Sequence, residues 1–393
     1  MPTFLHHHLH HGHPNEFQQI LRARNLHALA FSVARVFIPL FLINIYGGLA
    51  QALWPITVFM LGGYALRLLL MPQFAAVIVR LGAKHAMAMS FVLAVVSLVM
   101  TAFLQSNLIY IFVLAFFLGA GNALFFMSYH VDLALTLNKS DALKHGIGSV
   151  EMLRKVALAL GPLAGGLIAT QISEKALFIV AAIIMSMAAS ALYLKEDNVI
   201  SHKTKLQLWK AKTYRKYRRY FIANFAMGIN SCASSFLWSI LLFVVIGTYQ
   251  AVGFVLAVSL ILSLGVIAYA RRRDSLRSDK LEINGGSTAT SLLHVARPFV
   301  ETGAMATGIN FFNDIAFSFL YVPYVDQYYK QVCKKDGLTF VALMESSVLV
   351  GYLIPWFAFV GLFLAFGQNL AFIGAYVLAA IATLFVPLIS RKA

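Results

Sequence analysis

The sequence FFMSYHVD at residues 125–132 has a counterpart in FLYVPYVD at residues 319–326, 194 positions later. Both stretches are rich in aromatic residues and end in an aspartate. A glutamate follows each aspartate after 19 residues, which gives the pairs Asp132 with Glu151 and Asp326 with Glu345. A spacing that returns at one offset is typical of an internal duplication, so the sequence predicts two similar halves.

The composition around this repeat excludes a single water-soluble globule. Of the 393 residues, 60% are hydrophobic and 12% are charged, against about 45–50% and about 25% in an ordinary soluble domain. The 32 Phe, 16 Tyr and 4 Trp are spread along the whole chain. Lipid must therefore be the solvent for much of the surface, and the composition predicts a polytopic membrane protein. The two cysteines lack the paired spacing of a metal site.

Apolar runs of about 20 residues, the length that crosses a bilayer, recur along the chain. Lysine and arginine concentrate in alternate gaps between these runs, and nine of them fall within residues 195–219. By the positive-inside rule, these gaps and both termini are predicted to be cytoplasmic. The eleven plain spans are 27–46, 51–71, 85–104, 107–128, 149–171, 175–194, 220–246, 249–270, 303–325, 338–365 and 368–389.

A twelfth span is predicted near residues 285–300, although this stretch is polar. The basic stretches 271–280 and 330–335 must lie on one side of the membrane, yet only 303–325 between them is plainly apolar. An even number of crossings therefore requires a second span there. A span this polar is tolerable only where it packs against protein or a wet cavity. The alternative is a surface helix and eleven spans, which places Arg391 outside.

The spans divide the chain into four segments. They are a cytoplasmic His-rich N-terminal tail (1–26), an N-terminal six-helix half (27–194), a basic cytoplasmic linker (195–219) and a C-terminal six-helix half (220–393). We expect an all-α fold of twelve transmembrane helices in two pseudo-symmetric halves. The histidines of the tail indicate a solvated basic segment, an expression tag or a divalent-metal site. We favour the solvated tail and predict no metal site.

With these features the chain resembles the major facilitator superfamily of secondary transporters, over residues 26–390. After the second span that family has Gly-x-x-x-Asp-Arg-x-Gly-Arg-Lys. This chain keeps Arg80, Gly82 and Lys84, and it has Ala75 and Val79 where the family has its first glycine and its aspartate. The resemblance implies a twelve-helix fold, alternating access and a gating role for the three matching residues.

The fifth span carries the sequence GPLAGG at residues 161–166. It is similar to the Gly-Pro-x-x-Gly-Gly signature associated with the exporter, proton-antiport branch of the same family. Pro162 removes a helix hydrogen bond and bends the span, while Gly161, Gly165 and Gly166 let a neighbouring helix approach closely. This arrangement suits an interface on which the halves rock, and it equally suits simple helix packing.

The repeated acidic residues are further gating candidates. Asp132 and Asp326 follow the ends of the fourth and tenth spans in the pattern described above. Glu151 precedes Arg154 and Lys155 by one helical turn, so this group is either a gate or an ordinary charge cluster at a helix end.

Polar residues recur at helical spacing inside spans where lipid-facing residues are expected. The resembled family lines its central cavity with the first, fourth, seventh and tenth spans, and the polar stripes fall on three of these. A charge at the bilayer centre costs about 2.5–3.5 kcal/mol, so charged members need a partner or water. The candidate substrate and coupling residues are Arg35, Asn224, Ser231, Ser235, Trp238, Asn310, Asp314, Ser318, Tyr321 and Glu345.

Asp314 is the first candidate for ion coupling, because a carboxylate in a partly desolvated cavity takes up and releases protons near physiological pH. Arg35 is interpreted as its counter-charge or as an anion-binding group, and a purely structural ion pair between the two is the alternative. Glu345 is the second coupling candidate. Amides, hydroxyls and aromatics with few charges favour a moderately apolar or zwitterionic substrate.

The sequence predicts a secondary active transporter that moves a small molecule by alternating access, with proton-coupled export favoured. A proton gradient takes the place of a cofactor, since no phosphate loop is present. No hydrolase or metalloprotease motif appears, so we expect no enzyme. The alternative is a non-transporting membrane sensor or assembly protein of the same fold. We expect a monomer in the plasma (inner) membrane that contacts lipid and a small-molecule substrate but no nucleic acid.

Overall fold

The computed structural model describes residues 14–136, 140–190, 210–273, 279–333 and 337–390, with side chains described for 22–134, 155–190, 210–266, 279–333 and 337–390. All regular elements in these ranges are helices. The helices of the N-terminal half are Pro14–Ala34 and Phe37–Ile45 (first span), Leu49–Met60, Leu61–Ala65, Leu66–Leu69 and Met71–Leu81 (second), Ala83–Ala102 (third), Leu108–Thr136 (fourth), Ser140–Gln171 (fifth) and Glu174–Ser190 (sixth).

The C-terminal half repeats this order. Its helices are Ala211–Ser231, Cys232–Leu237 and Trp238–Ile246 (seventh span), Tyr249–Arg273 (eighth), Asp279–Ala296 with a 3-10 turn Arg297–Phe299 (ninth), Gly303–Val332 (tenth), Gly337–Phe366 (eleventh) and Gln368–Thr383 with a 3-10 turn Val386–Ser390 (twelfth). Two of these segments, Leu61–Ala65 and Cys232–Leu237, are single π-helical turns inside longer helices.

Eight of the described spans are long and apolar enough to cross a membrane by length and composition alone. The ninth span is not among them, but the structure places a helix at the predicted weak span. Two of its hydroxyls donate to backbone carbonyls of the twelfth span, Ser287 to Thr383 at 2.7 Å and Ser291 to Ala380 at 2.8 Å. The polar face of this span therefore packs against protein, as expected, and the fold has twelve transmembrane helices.

Equivalent spans of the two halves have equivalent neighbours. In the N-terminal half the third span packs on the fourth and sixth, and the first packs on the fifth and sixth. In the C-terminal half the ninth span packs on the tenth and twelfth, and the seventh packs on the eleventh and twelfth. Adding six to each number converts the first set into the second. The predicted pseudo-symmetry is thus confirmed at the level of helix contacts.

Two seams join the halves, and they are related by the same symmetry. The fifth span packs on the eighth over much of its length, and the eleventh packs on the second. At the first seam a methyl group on Gly253 would lie 2.2 Å from the carbonyl oxygen of Pro162. Only glycine permits this approach of two backbones. At the second seam the Trp356 indole donates to Thr57 Oγ1 at 3.1 Å, so side chains make the contact instead.

Two helices extend across the predicted boundaries of the tail and the linker. The first helix begins at Pro14, inside the predicted tail 1–26, and the seventh span begins at Ala211, inside the predicted linker 195–219. The tail histidines and most of that linker lie outside the described residues, as do Arg391 and Lys392.

Gly253→Ala tests whether the fifth and eighth spans depend on backbone contact. The added methyl group meets a backbone carbonyl, which cannot move aside as a flexible side chain can. We expect a loss of about 1–3 kcal/mol in the free energy of unfolding, the usual cost of overpacking. Thermal denaturation in detergent measures it. Gly265→Ala, on the same span with no atom within 4 Å of the added methyl, is the matched control; equal melting temperatures would contradict the expectation.

Candidate functional site

The first span breaks next to a charged residue. Helix Pro14–Ala34 ends one residue before Arg35, and a new helix begins at Phe37. Pro39 has no backbone N–H, so it cannot bond to the carbonyl of Arg35 four residues earlier. Arg35 is exposed although it lies in the middle of the span. It lines a cavity whose wall comes mostly from the N-terminal half, with Phe236 contributed by the C-terminal half.

Arg35 contacts a tyrosine cluster that the two π-helical turns assemble. Its Nη2 donates to Tyr352 Oη at 3.1 Å, and its guanidinium carbon lies 5.8 Å from the centre of that ring. Tyr64, from the π turn of the second span, stacks on Tyr352 with ring centres 4.4 Å apart. Ser235, from the π turn of the seventh span, places Oγ 3.2 Å from Tyr352 Oη. Single π turns often mark functional sites, and both of these converge on Tyr352.

An ion pair connects the halves beside this cluster. Arg67 Nη2 of the second span lies 2.8 Å from Glu345 Oε2 of the eleventh. The two side chains are only 7% and 14% exposed. Arg67 lies one turn after Tyr64, and Glu345 lies two turns before Tyr352. The predicted coupling residue Glu345 thus holds a cation of the opposite half, within the part of the spans that leads to the basic loops.

The cavity that Arg35 and Arg67 line is narrow and mostly apolar. Its charged lining residues are Arg35 and Arg67, and its neutral polar ones are Tyr64 and Asn122. Asn122 places a polar group on the fourth span, where the sequence stripes predicted none. The other lining residues are Phe31, Ile38, Pro39, Phe59, Gly63, Leu118, Gly119 and Phe236.

Asp314 occupies a different polar cluster, formed by the eighth and tenth spans. Its Oδ2 accepts hydrogen bonds from Asn310 Nδ2 at 3.2 Å and from Ser259 Oγ at 3.4 Å. Two cations act on its charge, Arg297 and Lys155. No ion pair forms between Asp314 and Arg35 in the described structure. The interpretation of Arg35 as its counter-charge is therefore not supported.

The predicted stripe on the tenth span does lie on one face of that helix. Asn310 and Ser318 are buried, and Ser318 Oγ donates to the Asp314 carbonyl at 2.5 Å. Lys155 of the fifth span donates from Nζ to Ser318 Oγ, so the stripe contacts the opposite half. Tyr321 stacks on Phe317 and Tyr324.

Trp238 lies inside the C-terminal half and does not line the cavity. It is fully buried, and the guanidinium carbon of Arg297 is 4.7 Å from its ring centre. The prediction placed it on one stripe with Ser231 and Ser235, which assumes an unbroken α-helix. The π turn Cys232–Leu237 adds about one residue to a turn, so the positions after it rotate away from the stripe.

Two further stripe residues have structural partners within the C-terminal half. Asn224 accepts a hydrogen bond from Tyr324 Oη at 2.6 Å and donates to the Tyr220 carbonyl at 2.7 Å. The Ser231 carbonyl accepts the Ser235 hydroxyl at 2.6 Å. The first contact fastens the seventh span to the tenth, away from the cavity lining.

Comparison with known proteins assigns this arrangement to a family. The family model described as Major Facilitator Superfamily matches residues 23–324. The chain belongs to the major facilitator superfamily. Its membership and its helical fold make it a membrane transport protein, which agrees with the functional class predicted from the sequence. A search of curated proteins finds no match.

Solved structures of the superfamily share the fold at low identity. One is a variant of the fucose:proton symporter FucP from E. coli, with a TM-score of 0.66, 12% identity and coverage of 96% of this chain and 99% of that one. FucP in the outward conformation has a TM-score of 0.68 and 13% identity, and the match covers 96% of this chain and 99% of that one. A mutant of the nucleoside transporter NupG has a TM-score of 0.66 and 13% identity, and the match covers 93% of this chain and 98% of that one.

The GPLAGG motif of this superfamily member contacts two neighbours at once. Added methyl groups on Gly161 and Gly165 would meet Ser32 and the Val33 carbonyl of the first span. One on Gly166 would lie 2.7 Å from the Tyr249 carbonyl of the eighth span. The motif therefore packs its own half on one side and the opposite half on the other.

The motif after the second span forms a turn. Gly82 has φ +86°, a conformation that favours glycine, and it joins helix Met71–Leu81 to helix Ala83–Ala102. Arg80 is exposed and Lys84 is buried. The turn thus gives this motif a structural role, and its gating role stays a prediction.

The structure describes the side chains of the repeated acidic residues except that of Glu151. Asp132 is buried at the end of the fourth span, and Asp326 lies 2.6 Å from Lys330. His130, two residues before Asp132, lies 2.6 Å from the hydroxyl of Tyr329 in the opposite half. The side chains of Glu151 and Arg154 lie outside the described residues.

Sequence reasoning missed Tyr64, Tyr352 and the pairing of Arg67 with Glu345. The two tyrosines are isolated among apolar residues, so no polar stripe marks them. Arg67 is a single charge between leucines of the second span and belongs to no polar stripe. A complementary charge was present in the sequence at Glu345, but only the packing of the second span on the eleventh brings the two together.

Removing one partner of the buried Arg67–Glu345 pair tests its contribution. Glu345→Leu leaves the Arg67 charge buried without a counter-charge, and we expect a loss of about 3–5 kcal/mol in the free energy of unfolding. The double variant Arg67→Leu/Glu345→Leu removes both charges and should recover most of this loss. Denaturation in detergent of the unmodified protein, the single variants Glu345→Leu and Arg67→Leu, and the double variant completes the cycle; additive effects would show that the two side chains do not interact.

Proposed function

We propose that this protein is a proton-coupled secondary transporter that exports a small molecule by alternating access, with Glu345 as the principal proton site. The observation that carries the proposal is the Arg67–Glu345 ion pair, which joins the two halves next to the cavity around Arg35. The fold neighbours include a protein described as a fucose:proton symporter, so this fold accommodates proton coupling.

Coupling requires that a proton change the relative free energy of two conformations. Protonation of Glu345 removes its charge and with it the attraction to Arg67 across the seam. It therefore weakens the contact between the second and eleventh spans and favours separation of the halves at the end that carries the basic loops. A deprotonated Glu345 favours closure of that end.

Asp314 is the second proton site in this proposal. Its Oδ2 is held by Asn310 and Ser259, and the nearby cations come from both halves, Arg297 from its own and Lys155 from the other. Protonation of Asp314 changes the electrostatic attraction toward Lys155 without breaking a direct ion pair. Its effect on the conformation is therefore smaller than that of Glu345.

The orientation, direction and setting of transport belong to the same proposal. The positive-inside rule, applied to the basic loops, supports cytoplasmic termini, and the proposal sets the protein in the plasma membrane. Export is favoured by the GPLAGG motif, whose resemblance is to the antiport branch. A proton that enters from outside and is released at the basic end then moves opposite to the substrate. The protein functions as a monomer, since each half supplies its own part of the cavity lining.

Spin-label distances at two pH values test the coupling without a known substrate. Labels at Leu81 and Lys280, exposed near the basic end of the two halves, report its opening, in a Cys333→Ser background. We expect a longer distance population to grow between pH 8 and pH 5 because Glu345 becomes protonated. Labels at Gln171 and Asn369 should show closure of the opposite end.

Glu345→Gln should abolish this pH response and give the long-distance population at both pH values, since the amide carries no charge. Asp314→Asn should reduce the response only in part. Glu301→Gln, an exposed carboxylate between the ninth and tenth spans, is the matched control and should behave as the unmodified protein. Distances that do not change with pH would contradict proton coupling, and a fixed conformation under all conditions would favour a sensor or assembly protein.

A further inference from the structure

Arg35 is the charged group of the cavity that the protein itself does not neutralise. Its described partners are neutral: the hydroxyl of Tyr352 at 3.1 Å, the face of the same ring and the hydroxyl of Tyr64. In the part of the chain that the structure describes, no carboxylate lies within ion-pair distance of it. The other cation of the lining, Arg67, is matched by Glu345.

A guanidinium that is not neutralised inside a membrane protein is costly unless water or a counter-ion solvates it. Arg35 is exposed to the cavity, so water can solvate it when no ligand is bound. A carboxylate is a stronger partner than a phenol hydroxyl, because both of its oxygens accept guanidinium N–H groups and the charges attract. An anionic ligand would therefore replace Tyr352 as the partner of Arg35.

The other lining residues indicate the chemistry of the rest of the ligand. Phenylalanines 31, 59 and 236, with Ile38 and Leu118, surround the cavity, and Asn122 supplies one amide. The cavity has a volume of only about 20 Å³ in this conformation, so a ligand enters after the halves separate. These side chains then suit an apolar or aromatic body with at most a few hydrogen-bonding groups. A second anionic group would find no further unmatched cation, and an ammonium group would find no unmatched carboxylate among the described lining residues.

We infer that the substrate is a small organic monoanion, a carboxylate or a group of like charge on an apolar body, bound through Arg35 while its body lies against the phenylalanines. This inference rests on the proposed function, since it names the substrate class of the same transporter. It replaces the moderately apolar or zwitterionic substrate that the sequence favoured, because Arg35 has no carboxylate partner among the described residues.

The charge preference of the cavity can be measured without knowing the substrate. The thiol introduced by Asn122→Cys, in a Cys333→Ser background, lies in the lining, and the native Cys232 is fully buried. Its labelling rates are compared for an anionic (sulfonatoethyl) and a cationic (trimethylammonioethyl) methanethiosulfonate, each divided by the rate with free cysteine. We expect the anionic reagent to be favoured by about tenfold or more, as in clefts that focus one sign of charge.

Arg35→Gln should reduce this ratio to about that of free cysteine. Arg219→Gln is the matched control, since Arg219 also donates to a tyrosine hydroxyl, that of Tyr220 at 3.0 Å, but on the basic end of the seventh span. Millimolar benzoate should slow labelling by either reagent, whereas benzamide of the same shape should not. A ratio that favours the cationic reagent, a ratio unchanged by Arg35→Gln, or protection by benzamide alone would overturn the inference. Labelling requires no transport, so its outcome is independent of the spin-label test.

Discussion

A charge inside the membrane must find a partner or water, and this constraint organises the centre of the molecule. The few charged side chains of the spans solve the problem differently. Arg67 is neutralised by Glu345 of the opposite half, Arg35 stays accessible in the cavity, and Arg297 lies against Trp238 within its own half. The first solution ties the two halves together, and the second leaves a cation in the cavity without a counter-charge among the described residues. The proposed coupling and the proposed binding of an anion thus follow from the same energetic requirement.

The helix framework that holds these charges depends on two kinds of seam. Small residues let the fifth span approach the first and the eighth closely, so backbone contacts contribute to both interfaces. Between the second and eleventh spans, side chains make the contact, including the Arg67–Glu345 pair and the Trp356–Thr57 hydrogen bond. The π-helical turn beside the second seam presents Tyr64 to Tyr352, so the cavity and the seam share one structural element.

Much of this fold could be predicted from the sequence, because several independent patterns indicate the same number and order of helices. Span length, alternating basic gaps and the 194-residue repeat each report on whole helices, and together they give twelve spans and two halves, the polar ninth span included. The glycine cluster also predicted close helix packing, since few residues other than glycine let two backbones approach closely.

The candidate site could be predicted less well. Trp238 left its predicted stripe because a π turn rotates the helix, and Arg35 and Glu345 acquired partners from spans distant in sequence.

The unequal chemistry of the two seams determines how the halves can separate. The Gly253–Pro162 crossing is a close backbone contact, and a small rotation at such a contact exchanges one van der Waals contact for another. The second and eleventh spans can separate only when the Arg67–Glu345 ion pair and the Trp356–Thr57 hydrogen bond break. In the proposed mechanism, the fifth and eighth spans therefore form the axis about which the halves rotate, and protonation of Glu345 at the contact between the second and eleventh spans permits that rotation.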